Sequence, residues 1–141
     1  MSETKTQIVI GLLRLGAFLQ RQGDRMVRPH GVSQQEFNVL GTIARAEEPL
    51  HQSNIGTDLL LERSNLSKIV KRLVAKGLIE VITTAKDRRI RLLRISEAGV
   101  DVFRQADAEL CAWNEEWLDE FDPSELEKTS KLLNRLISQS N

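Results

Sequence analysis

One cysteine, Cys111, two histidines and no tyrosine occur in 141 residues. A single cysteine excludes an intrachain disulfide framework. There is no CxxC, no HExxH, no glycine-rich phosphate loop and no acid–base pair that stands apart, so nothing suggests an enzyme, a metal site or a cofactor. Long apolar runs are missing as well: the stretch Ile8 to Leu19 is interrupted by Arg14, and no membrane span is expected. The opening Met1-Ser2-Glu3-Thr4 has no basic n-region of a secretory signal, which gives a cytoplasmic location as the expectation. Internal repeats, low-complexity tracts and flexible linkers are absent. With 40% hydrophobic and 28% charged residues, the chain is expected to form one domain over 1–141 with a real core.

Net charge is also lacking, since 20 basic residues balance 20 acidic ones. The balance is not local. Residues 1 to 61 hold six basic and six acidic side chains, residues 62 to 94 hold ten and three, and residues 95 to 141 hold four and eleven. The basic middle is the electrostatic footprint expected of a surface that meets phosphates, although a solvated charged face would give the same excess.

The apolar periodicity places elements around this middle. Ile8, Leu12, Leu15 and Leu19 are spaced as one stripe of an amphipathic helix, ending near Arg28-Pro29-His30-Gly31. Ser33-Gln34-Gln35-Glu36 reads as a capping box opening a second helix with a core face of Phe37, Leu40, Ile43 and Ala44, stopped at Glu47-Glu48-Pro49. A short helix is expected from His51 to about Leu60, then a tight turn and a longer helix from about Arg63 to Lys76, with Gly77 as its C-terminal signal. The period then changes. Ile79-Glu80-Val81 and Ile90-Arg91-Leu92 alternate and flank polar, basic residues, which predicts a β-hairpin. Ser96 opens a long helix through Val100, Phe103, Leu110, Trp113 and Trp117. Asp122-Pro123-Ser124-Glu125 opens the last one, with Leu126, Leu133, Leu136 and Ile137 as its stripe.

The fold class is therefore mainly α with a small β-hairpin wing (α+β), a winged helix-turn-helix flanked by N- and C-terminal helices. In the helix Arg63 to Lys76, Leu66, Ile69, Val70 and Leu73 share one face, and Ser64, Asn65, Ser67, Lys68, Lys71 and Arg72 share the other. Short polar groups at the N-terminal end suit base edges in a major groove, and long cations along the flank suit phosphates. The hairpin tip carries Lys86, Asp87, Arg88 and Arg89, where no core needs charge. An arginine there can enter a minor groove, and Asp87 is read as a brace that orients Arg89. The alternative is a winged-helix module that binds protein without specific DNA binding. The polar and cationic face, Ser64, Asn65, Ser67, Lys68, Arg72, Arg88 and Arg89, is what an apolar protein interface would not favour.

Ser64 through Leu73, followed by Lys76-Gly77-Leu78-Ile79, resembles the recognition helix and exit of the multiple-antibiotic-resistance regulator (MarR) family. Asp87-Arg88-Arg89, leading to Ile95-Ser96-Glu97-Ala98-Gly99, is similar to that family's wing signature, an Asp-x-Arg followed by Leu-Thr-x-x-Gly. Four positions depart from the pattern. His51 and Asn54 stand where a capping Ser or Thr and a box Glu are usual, Leu60 where the turn often has glycine, and Glu62 where a small cap is common.

The resemblance implies a regulator of transcription, commonly a repressor, that acts as a homodimer on double-stranded DNA. It implies dimerisation helices over 5–30 and 96–139, a DNA-binding lobe over 32–95, and one lobe reading each half of a palindrome. It makes Arg89 the minor-groove arginine and Asp87 its partner. It also implies a small anionic or phenolic effector held between the two regions, or a response by cysteine oxidation. Arg14, Phe18, His30 and Trp113 are the candidates for a ligand cleft. Cys111, beside Trp113, is either a redox-sensing thiol or a small buried hydrophobe.

Overall fold

The computed structural model describes every residue except Met1, Thr84, Ala85, Arg88 and Asn141. Helix α1 runs from Glu3 to Val27, with the Ser2 hydroxyl accepting from the Lys5 amide at 3.3 Å. A 3-10 turn, Arg28–His30, follows and closes at Gly31, whose φ of 90° lies in the left-handed region that glycine enters without a Cβ clash. Helix α2, Gln34–Arg45, forms the expected capping box: the Glu36 amide donates to Ser33 Oγ at 3.1 Å, and the Ser33 amide donates to Glu36 Oε1 at 2.7 Å. Its core face is Phe37, Val39, Leu40 and Ile43. Val39 is fully buried although the stripe did not include it, and the expected Ala44 is only half-buried.

Strand β1, Leu50–His51, was not expected; the sequence placed a helix start at His51. Two residues carry no readable period, and the strand exists because Leu50 and His51 pair with Leu93 and Leu92 of a later strand. Helix α3 is Gln52–Asp58 and helix α4 is Arg63–Ala75. Strands β2, Ile79–Thr83, and β3, Arg91–Ile95, pair antiparallel from Ile79 opposite Ile95 to Thr83 opposite Arg91. The sheet is three-stranded, in the order β1-β3-β2, where a two-stranded hairpin was expected. Helix α5 spans Glu97–Trp117, capped by Ser96, and α6 spans Pro123–Ser140, with Asp122 Oδ1 accepting from the Ser124 amide at 3.0 Å. No described helix is long and apolar enough to cross a membrane.

Helices α3 and α4 end in the same motif with different residues. After α4 the Leu78 amide donates to the Leu73 carbonyl and the Gly77 amide to Val74, with Gly77 at a φ of 72°. After α3 the Leu61 amide donates to Gly56 and the Leu60 amide to Thr57, and here the left-handed seat is taken by Leu60 at a φ of 56°. A leucine there bears a Cβ clash of about 1–2 kcal/mol, and the residue is 49% exposed, so little burial offsets it. Leu60→Gly is expected to raise stability by about 0.5–1 kcal/mol, after the extra backbone entropy of glycine is subtracted. A urea titration that showed a loss instead would mean that the apolar contacts of Leu60 outweigh its backbone conformation.

The core lies in the middle of the chain. Of the fifteen buried apolar residues described, thirteen fall between Val32 and Leu93; Val27 of α1 and Ala106 of α5 complete the set. The terminal helices are bare by comparison. Ile8, Leu12, Leu15 and Leu19, the stripe read from the sequence, are 39–47% exposed, and Leu133 and Ile137 of α6 are also exposed. Monomeric proteins rarely leave so contiguous an apolar surface to water.

Candidate nucleic-acid interface

Helix α4 is oriented by its own amphipathicity. Leu66, Ile69, Val70 and Leu73 are each at most 2% exposed and lock the helix into the core, which turns the opposite face outward. Ser64, Lys68 and Lys71 are exposed there, while Asn65 and Ser67 are half-buried near the N-terminal end. The Ser67 hydroxyl accepts from Gln52 Nε2 of α3 at 3.2 Å, which ties the two helices of the helix-turn-helix together. Arg72 is turned toward α2, its Nε 3.4 Å from Glu36 Oε2, so this cation is shared with an internal carboxylate. Glu62, the N-cap of α4, makes no side-chain capping bond, and neither does His51 at the start of α3.

The tip of the wing is organised by Asp87. Its Oδ1 accepts from the Arg89 amide at 2.9 Å and from Arg89 Nε at 3.1 Å, and its Oδ2 lies 3.4 Å from the second guanidinium nitrogen. The Arg89 side chain is otherwise 91% exposed. The amide of Arg89 first, and its guanidinium second, hold the Asp87 carboxyl below the usual carboxylate range, so this pair stays charged at neutral pH. Lys86 is exposed beside it; Arg88 lies outside the described residues. Along the strands, Arg94 binds Glu80 across the ladder at 2.6 Å.

Between α3, the start of α4 and the wing lies an open groove of about 780 Å³. Ser67 and Arg89, both singled out in the sequence, line it together with Arg63, Arg91 and His51, and Ser140 at the end of α6 reaches it. Arg63 and Arg91 were counted in the basic middle and placed on a helix and a strand, but not assigned to the site. The signal was available, because Arg63 opens α4 and Arg91 opens β3, both beside the turns that face outward.

The residues proposed for a ligand cleft do not all meet. Phe18 of α1 packs on Trp113 and Trp117 of α5, with ring centroids 6.2 and 5.9 Å apart, and the two tryptophans stack at 5.0 Å. His30 instead faces Glu109, with Nε2 3.1 Å from Oε1, one helical turn from Trp113. Arg14 is exposed on α1, one turn before Phe18. Cys111 is exposed, which overturns the reading of it as a buried hydrophobe: on an amphipathic α5 it falls on the side away from Ala106 and Leu110.

Comparison with known proteins agrees with this geometry. Residues 30–90 match the model of the MarR family. Among curated proteins, the transcriptional activatory protein BadR of Rhodopseudomonas palustris is 24% identical over 138 residues, covering 96% of this chain and 79% of that protein. Among solved structures, a MarR family transcriptional regulator from Rhodococcus sp. RHA1 superposes with a TM-score of 0.85 at 18% identity, covering 97% of this chain and 96% of the other. CouR from Rhodococcus jostii RHA1, solved bound to p-coumaroyl-CoA, superposes with a TM-score of 0.83 at 18% identity, covering 92% and 91%. With the winged helix in place and its outward face polar and basic, the matched segment, residues 30–90, is the part of the chain that carries its likeness to the MarR family, and the whole chain shares the fold of a solved regulator of that family.

Proposed function

We propose that the protein is a homodimeric regulator that reads a palindromic operator, represses from it, and is released by a small aromatic or anionic ligand. The observation that carries this reading is one surface: Arg63 and Ser67 at the N-terminal end of α4 and the Asp87-braced Arg89 line the same groove. Helix α4 enters the major groove with Ser64, Asn65, Ser67 and Lys68 toward base edges, while Lys71 and Lys86 neutralise phosphates and Arg89 occupies the minor groove. Pairing through the bare apolar faces of α1 and α6 sets the two α4 helices about 34 Å apart, one DNA turn. The ligand class is supported by CouR and its aromatic thioester, and by the Phe18–Trp113–Trp117 cluster, which offers ring faces beside the α1–α5 contact. Such a ligand releases DNA only in proportion to its differential affinity for the two states. Repression follows where the operator overlaps a promoter; BadR, the similar protein from Rhodopseudomonas palustris, is a transcriptional activatory protein.

Fluorescence anisotropy against fragments from upstream of the protein's own gene, with salt varied and a random duplex as competitor, tests the reading. Salt-sensitive binding that survives the competitor is expected. No binding to either DNA at low salt would favour a protein-interaction module instead. The dimer has its own test. Placing glutamates at Leu12 and Leu133 together is expected to give a monomer by sedimentation that keeps the helical signal of its central lobe, because neither side chain belongs to the described core. A double variant that sediments as the wild type does would move the interface elsewhere.

A further inference from the structure

The most deeply buried charged residue among those described does work that its local role does not require. Glu36 is 2% exposed, and as the third residue of a capping box it needs only the Ser33 amide. A neutral glutamine would serve there equally well. Glu36 is nevertheless met by two cations from the far end of α4: Lys76 Nζ donates to Oε1 at 2.8 Å and to Oε2 at 3.1 Å, and Arg72 Nε stands 3.4 Å from Oε2. The same Lys76 ammonium also donates to the Gly31 carbonyl at 2.9 Å. Gly31 is the left-handed residue that closes the turn after α1. One side chain thus bolts the C-terminal end of the recognition helix to the turn joining α1 to α2. A second bond spans that joint, from the Gln34 amide to Asp24 Oδ1 of α1 at 3.0 Å.

A buried ion pair is seldom the most stable filling for a core, and apolar side chains of similar volume commonly do as well. Its directional bonds fix an angle, which apolar packing does less sharply. We propose that Glu36 is a positioning residue, which through Lys76 and Arg72 sets the tilt of α4 against the α1–α2 joint and hence the separation of the two recognition helices in the dimer. Burial opposes its ionisation, but the hydrogen bond from Lys76, the Ser33 amide and the charge of Lys76 outweigh that and keep the carboxyl ionised at neutral pH.

This inference rests on the regulator reading, and one experiment separates the two. Anisotropy titrations would use a set of palindromes derived from the upstream fragment that binds, differing by one or two base pairs between half-sites, together with a single half-site duplex. Wild type is expected to prefer one spacing by about tenfold. In Glu36→Gln that preference falls to about twofold, while half-site affinity stays within about twofold of wild type. Lys76→Met, whose side chain is partly exposed and easier to replace, is expected to do the same, and Lys76→Arg to restore the preference. If both Glu36→Gln and Lys76→Met keep the wild-type spacing profile, the positioning role is refuted and the regulator reading stands. A wild type with no spacing preference overturns both.

Discussion

Gly99→Ala is expected to destabilise the protein by about 3 kcal/mol and to lower its melting temperature by roughly 10 °C. Gly99 is the third residue of α5, and its amide donates to the capping Ser96 hydroxyl at 3.0 Å. A Cβ built there runs into the Leu78 carbonyl oxygen and approaches Ile95 Cγ1 at 2.7 Å. That carbonyl cannot move aside, because it accepts from the Ser96 amide at 3.0 Å, while the Ser96 hydroxyl donates to the Gly77 carbonyl at 2.6 Å. The Cβ meets a backbone carbonyl, so a rotamer change at Ile95 does not relieve the clash. Gly77→Ala supplies the contrast. Nothing lies near its Cβ position, and only its φ of 72° is penalised, so a loss of about 1 kcal/mol is expected. Thermal unfolding followed by circular dichroism, at one fixed protein concentration, compares the two. Equal losses would show that the junction of β2 and α5 opens without cost.

Arg89→Ala is expected to weaken binding to the operator by about tenfold to a hundredfold, the range of one charge-assisted contact, and to lower the salt slope by about one. The exposed guanidinium has no packing role, so stability should not change with it. Asp87→Asn separates the brace from mere charge. Removing an acid makes the protein more cationic, and an electrostatic account predicts tighter binding at every site. The structure argues the other way, since an amide cannot match the ionised carboxylate that accepts from the Arg89 side chain. Binding should weaken, most of all at the preferred operator. Asn65→Ala should instead redistribute affinity among operator variants. Titrations on an operator panel at several salt concentrations read all three, and a tighter Asp87→Asn would sink the brace.

What could be read from the sequence was whatever has a period or a signature. The faces of α4, the capping box at Ser33 and Glu36, the exit at Gly77 and the start at Asp122 each rest on near neighbours in the chain, and all four are present. Features set by distant partners were not legible. Strand β1 exists through pairing with residues more than forty positions away, and the turn of Arg72 toward Glu36 depends on how α2 crosses α4. Leu60 was marked as a departure from a glycine, and the structure supplies the reason for the family's usual residue: a left-handed seat. The final glycine of the wing signature has a different reason, a close backbone approach, which no local pattern contains.

The bare flanks of α1 and α6 tie regulation to copy number. In the proposed dimer each subunit completes the other, so operator occupancy rises with the square of subunit concentration while dimers are scarce, and fold stability rises in step. Each tenfold dilution lowers the stability of the pair by about 1.4 kcal/mol of dimer. A cell in which the concentration of this protein halves therefore loses more than half of its functional regulator. Subunits left single, with Leu12, Leu13 and Ile137 uncovered, are the ones that chaperones and proteases meet first.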